Sequence, residues 1–254
     1  MLNSIKLNNL FAMNDIIKKT FRKVNILYHS ILDFVYPTAC VLTSETIDEM
    51  NSNKFIKDEN FSLLSRISDK DKTDLINKVK SEYSFSLFAF YEGDEFSKII
   101  YSIKYGGMRK LAGYMGEILG LEFLRNFTGD DIKNFYCIAP VPLHRSRFRE
   151  RGFNQSELIG KGMSNITGIM IYEDLLLRVK NTSSQTRLNK HRRKLNIENA
   201  FEINSKYQAE IYGKNIIILD DVITTGSTIN EAVKILKLNG AGEIMSCSLA
   251  MARD

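Results

Sequence analysis

The sequence predicts an α/β protein with an open, mostly parallel sheet flanked by helices, preceded by a helical and irregular N-terminal extension. Two observations carry that prediction. A strand, loop and helix unit occurs at residues 135–165 and again at 215–239, and a further apolar strand follows at 243–250. The chain of 254 residues, 44% hydrophobic and 26% charged, is also long enough to bury one large core, or a core plus an extension.

The elements follow in order. Residues 1–34 read as helix, from the spacing of Leu10, Ile16, Ile17, Phe21, Val24, Leu27 and Ile31, and a polar Ser/Asn/Asp/Lys-rich stretch runs on to about Ser81. Neither part carries a catalytic signature. Residues 85–91 then form a strand, and 95–124 a pair of helices interrupted at Gly106-Gly107. Residues 135–141 are a short apolar strand closed by proline, and 154–165 a helix turning Leu158, Ile159 and Met163 inward. The run Asn215-Ile216-Ile217-Ile218-Leu219 is apolar enough for a strand buried on both faces. Gly240 stops the helix that follows it. Residues 1–84 are therefore read as an extension, and 85–254 as the principal domain.

Composition excludes several classes. No stretch approaches the roughly 18 consecutive apolar residues of a membrane helix, and the N-terminus mixes Lys, Asn and Asp with its apolar residues, so a cytoplasmic protein without a membrane span is expected. Three separated cysteines, Cys40, Cys137 and Cys247, form no C-x-x-C pair and encode neither a disulfide framework nor a zinc site. The formal charge of +5 is concentrated in Arg145, Arg147, Arg149 and Arg151 and in a second run from Arg187 to Lys194. Each run by itself reads as solvated surface; together they suit a polyanion.

The chemistry concentrates in Asp220-Asp221-Val222-Ile223-Thr224-Thr225-Gly226-Ser227-Thr228. A strand delivers two carboxylates at its carboxyl end, a loop of hydroxyls with one glycine follows, and a helix begins. The spacing of Thr228 and Glu231 fits a capping box, while Ile229, Val233 and Leu236 recur on one face. Free N–H groups and the positive end of the helix dipole favour an anion there, and Thr224, Thr225, Ser227 and Thr228 can donate hydroxyl hydrogen bonds. Adjacent carboxylates would repel a bare polyphosphate but accept hydrogen bonds from sugar hydroxyls, so a phosphorylated ribose satisfies both features. The loop is neither G-x-x-x-x-G-K-[ST] nor G-x-G-x-x-G.

Residues 216–228 resemble the motif of type I phosphoribosyltransferases that binds 5-phosphoribosyl-1-pyrophosphate (PRPP). Two further segments narrow the resemblance to the competence-associated ComF (ComFC) family: Pro140-Val141-Pro142-Leu143-His144-Arg145 through Arg151-Gly152-Phe153-Asn154-Gln155, and Gln185-Thr186-Arg187-Leu188 through Arg192, Arg193, Asn196 and Ala200-Phe201. Ile103-Lys104-Tyr105 is similar to an element ahead of the family's core. The resemblance implies a type I phosphoribosyltransferase-like fold. It implies that Asp220 and Asp221 hold ribose hydroxyls, that the segment from Val222 and Ile223 through Thr224, Thr225, Gly226, Ser227 and Thr228 holds the 5-phosphate, and that Val141, Pro142, Leu143, His144, Arg145 and Arg151 form a pyrophosphate loop. Lys104 and Arg145 join the acid pair as catalytic candidates, with Gln185, Arg187, Arg192 and Arg193 as a flexible cover and Mg2+ as cofactor, carried mainly by PRPP. His144 and His191 are expected as surface or hydrogen-bonding residues. Tyr101, Tyr105 and Phe153 are expected in the core, with stacking on a base as the alternative.

One departure stands out. Tyr36-Pro37-Thr38-Ala39-Cys40-Val41-Leu42-Thr43 resembles a remnant of the family's cysteine-rich zinc module, with Thr43 in place of a second cysteine, so no zinc is expected. Three functions stay open: a phosphoribosyltransferase for an unidentified acceptor, a non-catalytic PRPP or nucleotide sensor, and an accessory of DNA uptake handling single-stranded DNA beside a competence helicase.

Overall fold

The computed structural model describes residues 38–48, 50–127, 129–180 and 199–253. The helix expected before Phe34 and the cover residues Gln185, Arg187, Arg192 and Arg193, with His191, lie outside the described residues. The chain divides into two compact units, Met1–Phe61 and Ser62–Asp254.

In the first unit, Ala39 and Thr46 form an antiparallel bridge, and Cys40, Leu42 and Ile56 are buried. Cys40 Sγ accepts long hydrogen bonds of 3.5 Å from Lys57 N–H and from Asn60 Nδ2. Asn60 Nδ2 also reaches Thr43 Oγ1. Burial pushes the Cys40 thiol up, but hydrogen bonding with Lys57, Thr43 and Asn60 brings it down to about 7.

The second unit carries a four-stranded sheet. Its strands are β1 (Tyr83–Phe90), β2 (Phe135–Pro140), β5 (Asn215–Ile223) and β6 (Ile244–Ala252). They run in the order β1-β6-β5-β2, and every pairing is parallel. A separate antiparallel pair joins β3 (Leu176–Arg178) and β4 (Phe201–Ile203). Strand β5 continues beyond Leu219, where the apolar run ends, because Asp220, Val222 and Ile223 keep parallel register with Ser248, Ala250 and Met251 of β6. The acid pair is therefore part of the strand.

Helices cover the sheet: α1 (Asp69–Lys78), α2 (Glu95–Lys104), α3 (Arg109–Asn126), α4 (Gly129–Lys133), α5 (Arg145–Arg151), α6 (Gln155–Thr167) and α7 (Ser227–Leu238). The expected helix pair is present as α2 and α3. Helix α7 buries Ile229, Val233 and Leu236, the stripe anticipated from its spacing, while α6 buries Ile159 and Met163 but leaves Leu158 half-exposed. Helices α3 and α6 cross at backbone contact: a Cβ on Gly162 would stand 2.1 Å from the Gly113 carbonyl, and one on Gly116 2.1 Å from that of Ile159. That close approach fixes the start of α6 beneath the ends of β2 and β5.

Helix α1 arises inside the polar stretch before Ser81. Ser68 caps it through a reciprocal box with Asp71. Arg253 grips the Asp71 carboxylate through two bonds of 2.9 and 2.8 Å, tying α1 to the end of β6. Among the described residues, no helix is long and apolar enough to cross a membrane.

Candidate phosphoribose site

In a parallel sheet, ligands bind at the carboxyl ends of the strands, where the loops and helix N-termini converge. Here β2 and β5 are neighbours, and Val141 N–H, just past β2, donates to the Leu219 carbonyl at 2.8 Å. The two loops carrying the predicted residues thus leave the sheet side by side.

The acids are held by the backbone that follows each of them. Asp221 N–H donates to Asp220 Oδ1 and Val222 N–H to Asp221 Oδ1, both at 2.8 Å. The Ser156 hydroxyl, in the first turn of α6, donates to Asp220 Oδ1 at 3.0 Å. Lys104 Nζ, at the end of α2, lies 2.8 Å from Asp221 Oδ2. Burial and then the neighbouring Asp221 charge raise the Asp220 carboxyl to about 7, against the pull of Lys104, the Asp221 N–H and Ser156. Two carboxylates side by side in a poorly solvated place resist joint ionisation.

Beyond Ile223 the chain turns through Thr224 to Gly226, and α7 starts at Ser227. Val222 and Ile223 are the last residues of β5, and Ile223 is buried in the core. Gly226 is the N-cap, in the left-handed region at φ 73, with no side-chain cap bond. A Cβ there would approach the Lys78 carbonyl to 2.2 Å. The capping box expected from Thr228 and Glu231 does not form. Gly226 starts the helix earlier, leaving Thr228 inside its first turn, and the buried Glu231 carboxylate instead accepts from Asn199 N–H at 2.8 Å. Gly226 brings no side chain to the helix end, and Thr225 Oγ1 accepts a long 3.4 Å bond from Ser227 N–H, so the next N–H groups of the first turn stay without intrahelical acceptors, as suits an anion. Thr225 Oγ1 and Ser227 Oγ lie 2.9 Å apart and orient one another.

The second loop carries Val141, buried, then the half-buried Pro142, Leu143 and His144 and the exposed Arg145. His144 caps α5: its Nδ1 accepts from Ser146 N–H at 3.2 Å, the hydrogen-bonding role expected of it. The alternating arginines fall on a helix, so they do not share one face. Arg145 and Arg149 are exposed. Arg151 turns inward, donating to Gln155 Oε1 at 3.0 Å with its guanidinium 5.3 Å from the Tyr105 ring centre.

Sequence reasoning missed two participants, Ser156 and Arg178. Ser156 adjoins the Arg151 to Gln155 segment and was overlooked because serine is common at helix starts. Arg178 ends the three-residue strand β3, where nothing in the local pattern marks it. Burial pulls its guanidinium below the ordinary arginine range, while the charge of Asp220 pulls it up and that of Arg147 pulls it down. Several polar atoms near these loops are buried without a hydrogen-bond partner among the described residues: Arg151 Nε, Asn154 Oδ1 and Gln155 Nε2. Two surface hollows elsewhere, one beside Phe85 and Phe127 and one beside Asp74 and Arg253, contain none of the predicted site residues.

The parallel sheet carries an acid pair at a strand end and a glycine-led helix beyond it, and residues 168–254 match the phosphoribosyl transferase domain model, which makes this a phosphoribosyltransferase-type domain. The chain is similar to proteins named for DNA utilization and competence. It is 33% identical over 150 residues to DNA utilization protein YhgH of Escherichia coli, covering 58% of this chain and 63% of the relative. It is 38% identical over 116 residues to Competence protein F of Haemophilus influenzae, covering 46% and 50%. To Competence protein ComFC of Streptococcus pneumoniae it is 32% identical over 136 residues, covering 53% and 57%. The matched region spans less than two thirds of each relative's length.

Proposed function

We propose that this protein binds PRPP with magnesium and transfers its phosphoribosyl group to an acceptor. The observation that carries the reading is the junction of β5 and α7, where a carboxylate pair and a glycine-led helix N-terminus stand together. The helix N–H groups and the hydroxyls of Thr224, Thr225, Ser227 and Thr228 suit a phosphate monoester, and Asp220 and Asp221 suit the ribose hydroxyls.

Transfer breaks the bond from the anomeric carbon to diphosphate, which leaves with the electron pair; the acceptor's lone pair forms the new bond, and its displaced proton passes to water. Charge collects on the diphosphate, so cations there lower the barrier. Lys104, Arg145, Arg147, Arg151 and Arg178 are among the described cations in or beside the two loops. Magnesium fits as a hard cation held on the ligand's own oxygens, with the acid pair as oxygen-rich surroundings, and would supply charge neutralisation of the diphosphate.

Similarity to proteins named for competence and DNA utilization supports a reading in which this activity serves DNA uptake, with single-stranded DNA and a helicase as candidate partners. Calorimetric titration of PRPP with magnesium into wild type and the Asp220→Asn, Asp221→Asn variant tests the site. Binding to wild type and loss in the variant is expected; equal affinity for both would overturn the assignment.

A further inference from the structure

We propose that Ser156 is a positioning residue of the sugar cradle: its hydroxyl holds the Asp220 carboxylate so that Oδ2 is the oxygen offered to a ribose hydroxyl. The inference rests on the phosphoribosyl reading above and names the side chain that sets the geometry of its acid pair.

The four oxygens of the pair are not equivalent. Asp220 Oδ1 accepts from Asp221 N–H at 2.8 Å and from the Ser156 hydroxyl at 3.0 Å, which uses both of its lone pairs. Asp221 Oδ1 accepts from Val222 N–H, and Asp221 Oδ2 is paired with Lys104. Asp220 Oδ2 is left as the oxygen without a partner among the described residues. Asp220 is also the more accessible acid, half-buried where Asp221 is 7% exposed. A hydroxyl arriving from solvent therefore meets Asp220 Oδ2 first.

Which oxygen of Asp220 faces outward is decided by Ser156. A carboxylate held by one donor still turns about that bond, because the last torsion of aspartate is broad; two donors on one oxygen fix its plane. The first donor is the backbone of the next residue, but Ser156 lies 64 residues earlier in the chain. Ser156 is 4% exposed and spends its proton on Asp220, so it acts through that acid and not on the ligand. Its place is rigid. It stands in the first turn of α6, which is locked against α3 at Gly116 and Gly162, and Asn154 Nδ2 ties the same turn to the Val141 carbonyl at 3.1 Å.

The same bond favours the charged carboxylate, the form that accepts from a sugar hydroxyl. The charge of Asp221 opposes that form, while Lys104 supports it and Arg178 is itself coupled to Asp220. With Oδ1 doubly occupied, a proton on Asp220 has Oδ2 as its seat and blocks the acceptor.

A double-mutant cycle tests the assignment. PRPP with magnesium, and ribose 5-phosphate without metal, are titrated calorimetrically into wild type, Ser156→Ala, Asp220→Asn and the double variant. Ser156→Ala should weaken both ligands about 10-fold, the worth of one hydrogen bond to a charged group, yet by less than about twofold in the Asp220→Asn background. In the ligand-free protein, carbon-13 NMR should show the Asp220 carboxyl titrating at higher pH in Ser156→Ala than in wild type, with thermal melts confirming that each variant is folded. Equal weakening in both backgrounds, an affinity indifferent to Ser156→Ala, or an unmoved carboxyl titration would each overturn the proposal. Failure of wild type to bind either ligand would instead remove the phosphoribosyl reading, and the NMR arm would still decide whether Ser156 holds the carboxylate.

Discussion

Lys104 Nζ and Asp221 Oδ2, on elements far apart in the sequence, meet at 2.8 Å with both side chains largely withdrawn from water. Helix α2 thereby supplies the acid pair with a counter-charge while no ligand is bound.

Lys104→Met should therefore destabilise the ligand-free protein by about 1–2 kcal/mol, the loss from unpairing a mostly buried carboxylate discounted for residual solvent. Lys104 pulls the Asp220 carboxyl down, so its removal raises that group further. Ligand binding should then need a higher pH than in wild type. Thermal melts and calorimetry across pH check both effects.

Asp220 gives a pH dependence of its own. Its carboxyl titrates at about 7 in the fold, above its ordinary value, so relative stability is present in acid and lost as pH rises toward and through 7. Asp220→Asn removes that loss and should raise stability at about pH 8 by about 1–3 kcal/mol. The same variant should bind PRPP poorly. In wild type, PRPP affinity should fall as pH drops below about 7, because the carboxylate acceptor is consumed by its proton. A less stable Asn variant at about pH 8 would contradict the burial argument.

Gly226→Ala tests the loop. The left-handed φ of 73 and the Lys78 carbonyl at 2.2 Å from a new Cβ both oppose the methyl. Destabilisation of at least about 2 kcal/mol in a denaturant titration is expected, together with weakened PRPP binding. Unchanged stability would mean that the loop is not held against α1.

The Asp71–Arg253 pair should dominate acid sensitivity of the second unit. Arg253 holds the Asp71 carboxyl well below its ordinary range, so this contribution is present above about pH 4 and is lost as pH falls through the depressed value. Arg253→Leu leaves the carboxylate buried and should cost about 2–4 kcal/mol at neutral pH. The loss should shrink in acid, when Asp71 takes up a proton; a loss independent of pH would assign Arg253 a packing role instead.

The sequence by itself determined what is local. The isoleucine run had to be a buried strand, the acids had to follow it, and Gly226 with its hydroxyl neighbours had to make a turn into α7, because each depends on residues adjacent in the chain. Tertiary structure decided everything that depends on distant partners. Thr228 and Glu231 had the spacing of a capping box, yet Asn199 claimed the Glu231 carboxylate once β4 packed beside α7. Alternation made the four arginines look equivalent, and the helical period of α5 sent Arg151 inward while leaving Arg145 exposed. Ser156 reaches Asp220 only because glycines let α6 sit against α3, and Tyr101 and Tyr105 stay at the surface because α2 buries its other face through Phe96, Ile99 and Ile103. Local pattern names the groups that can bind; packing across the sheet sets their neighbours, and the neighbours set their charge.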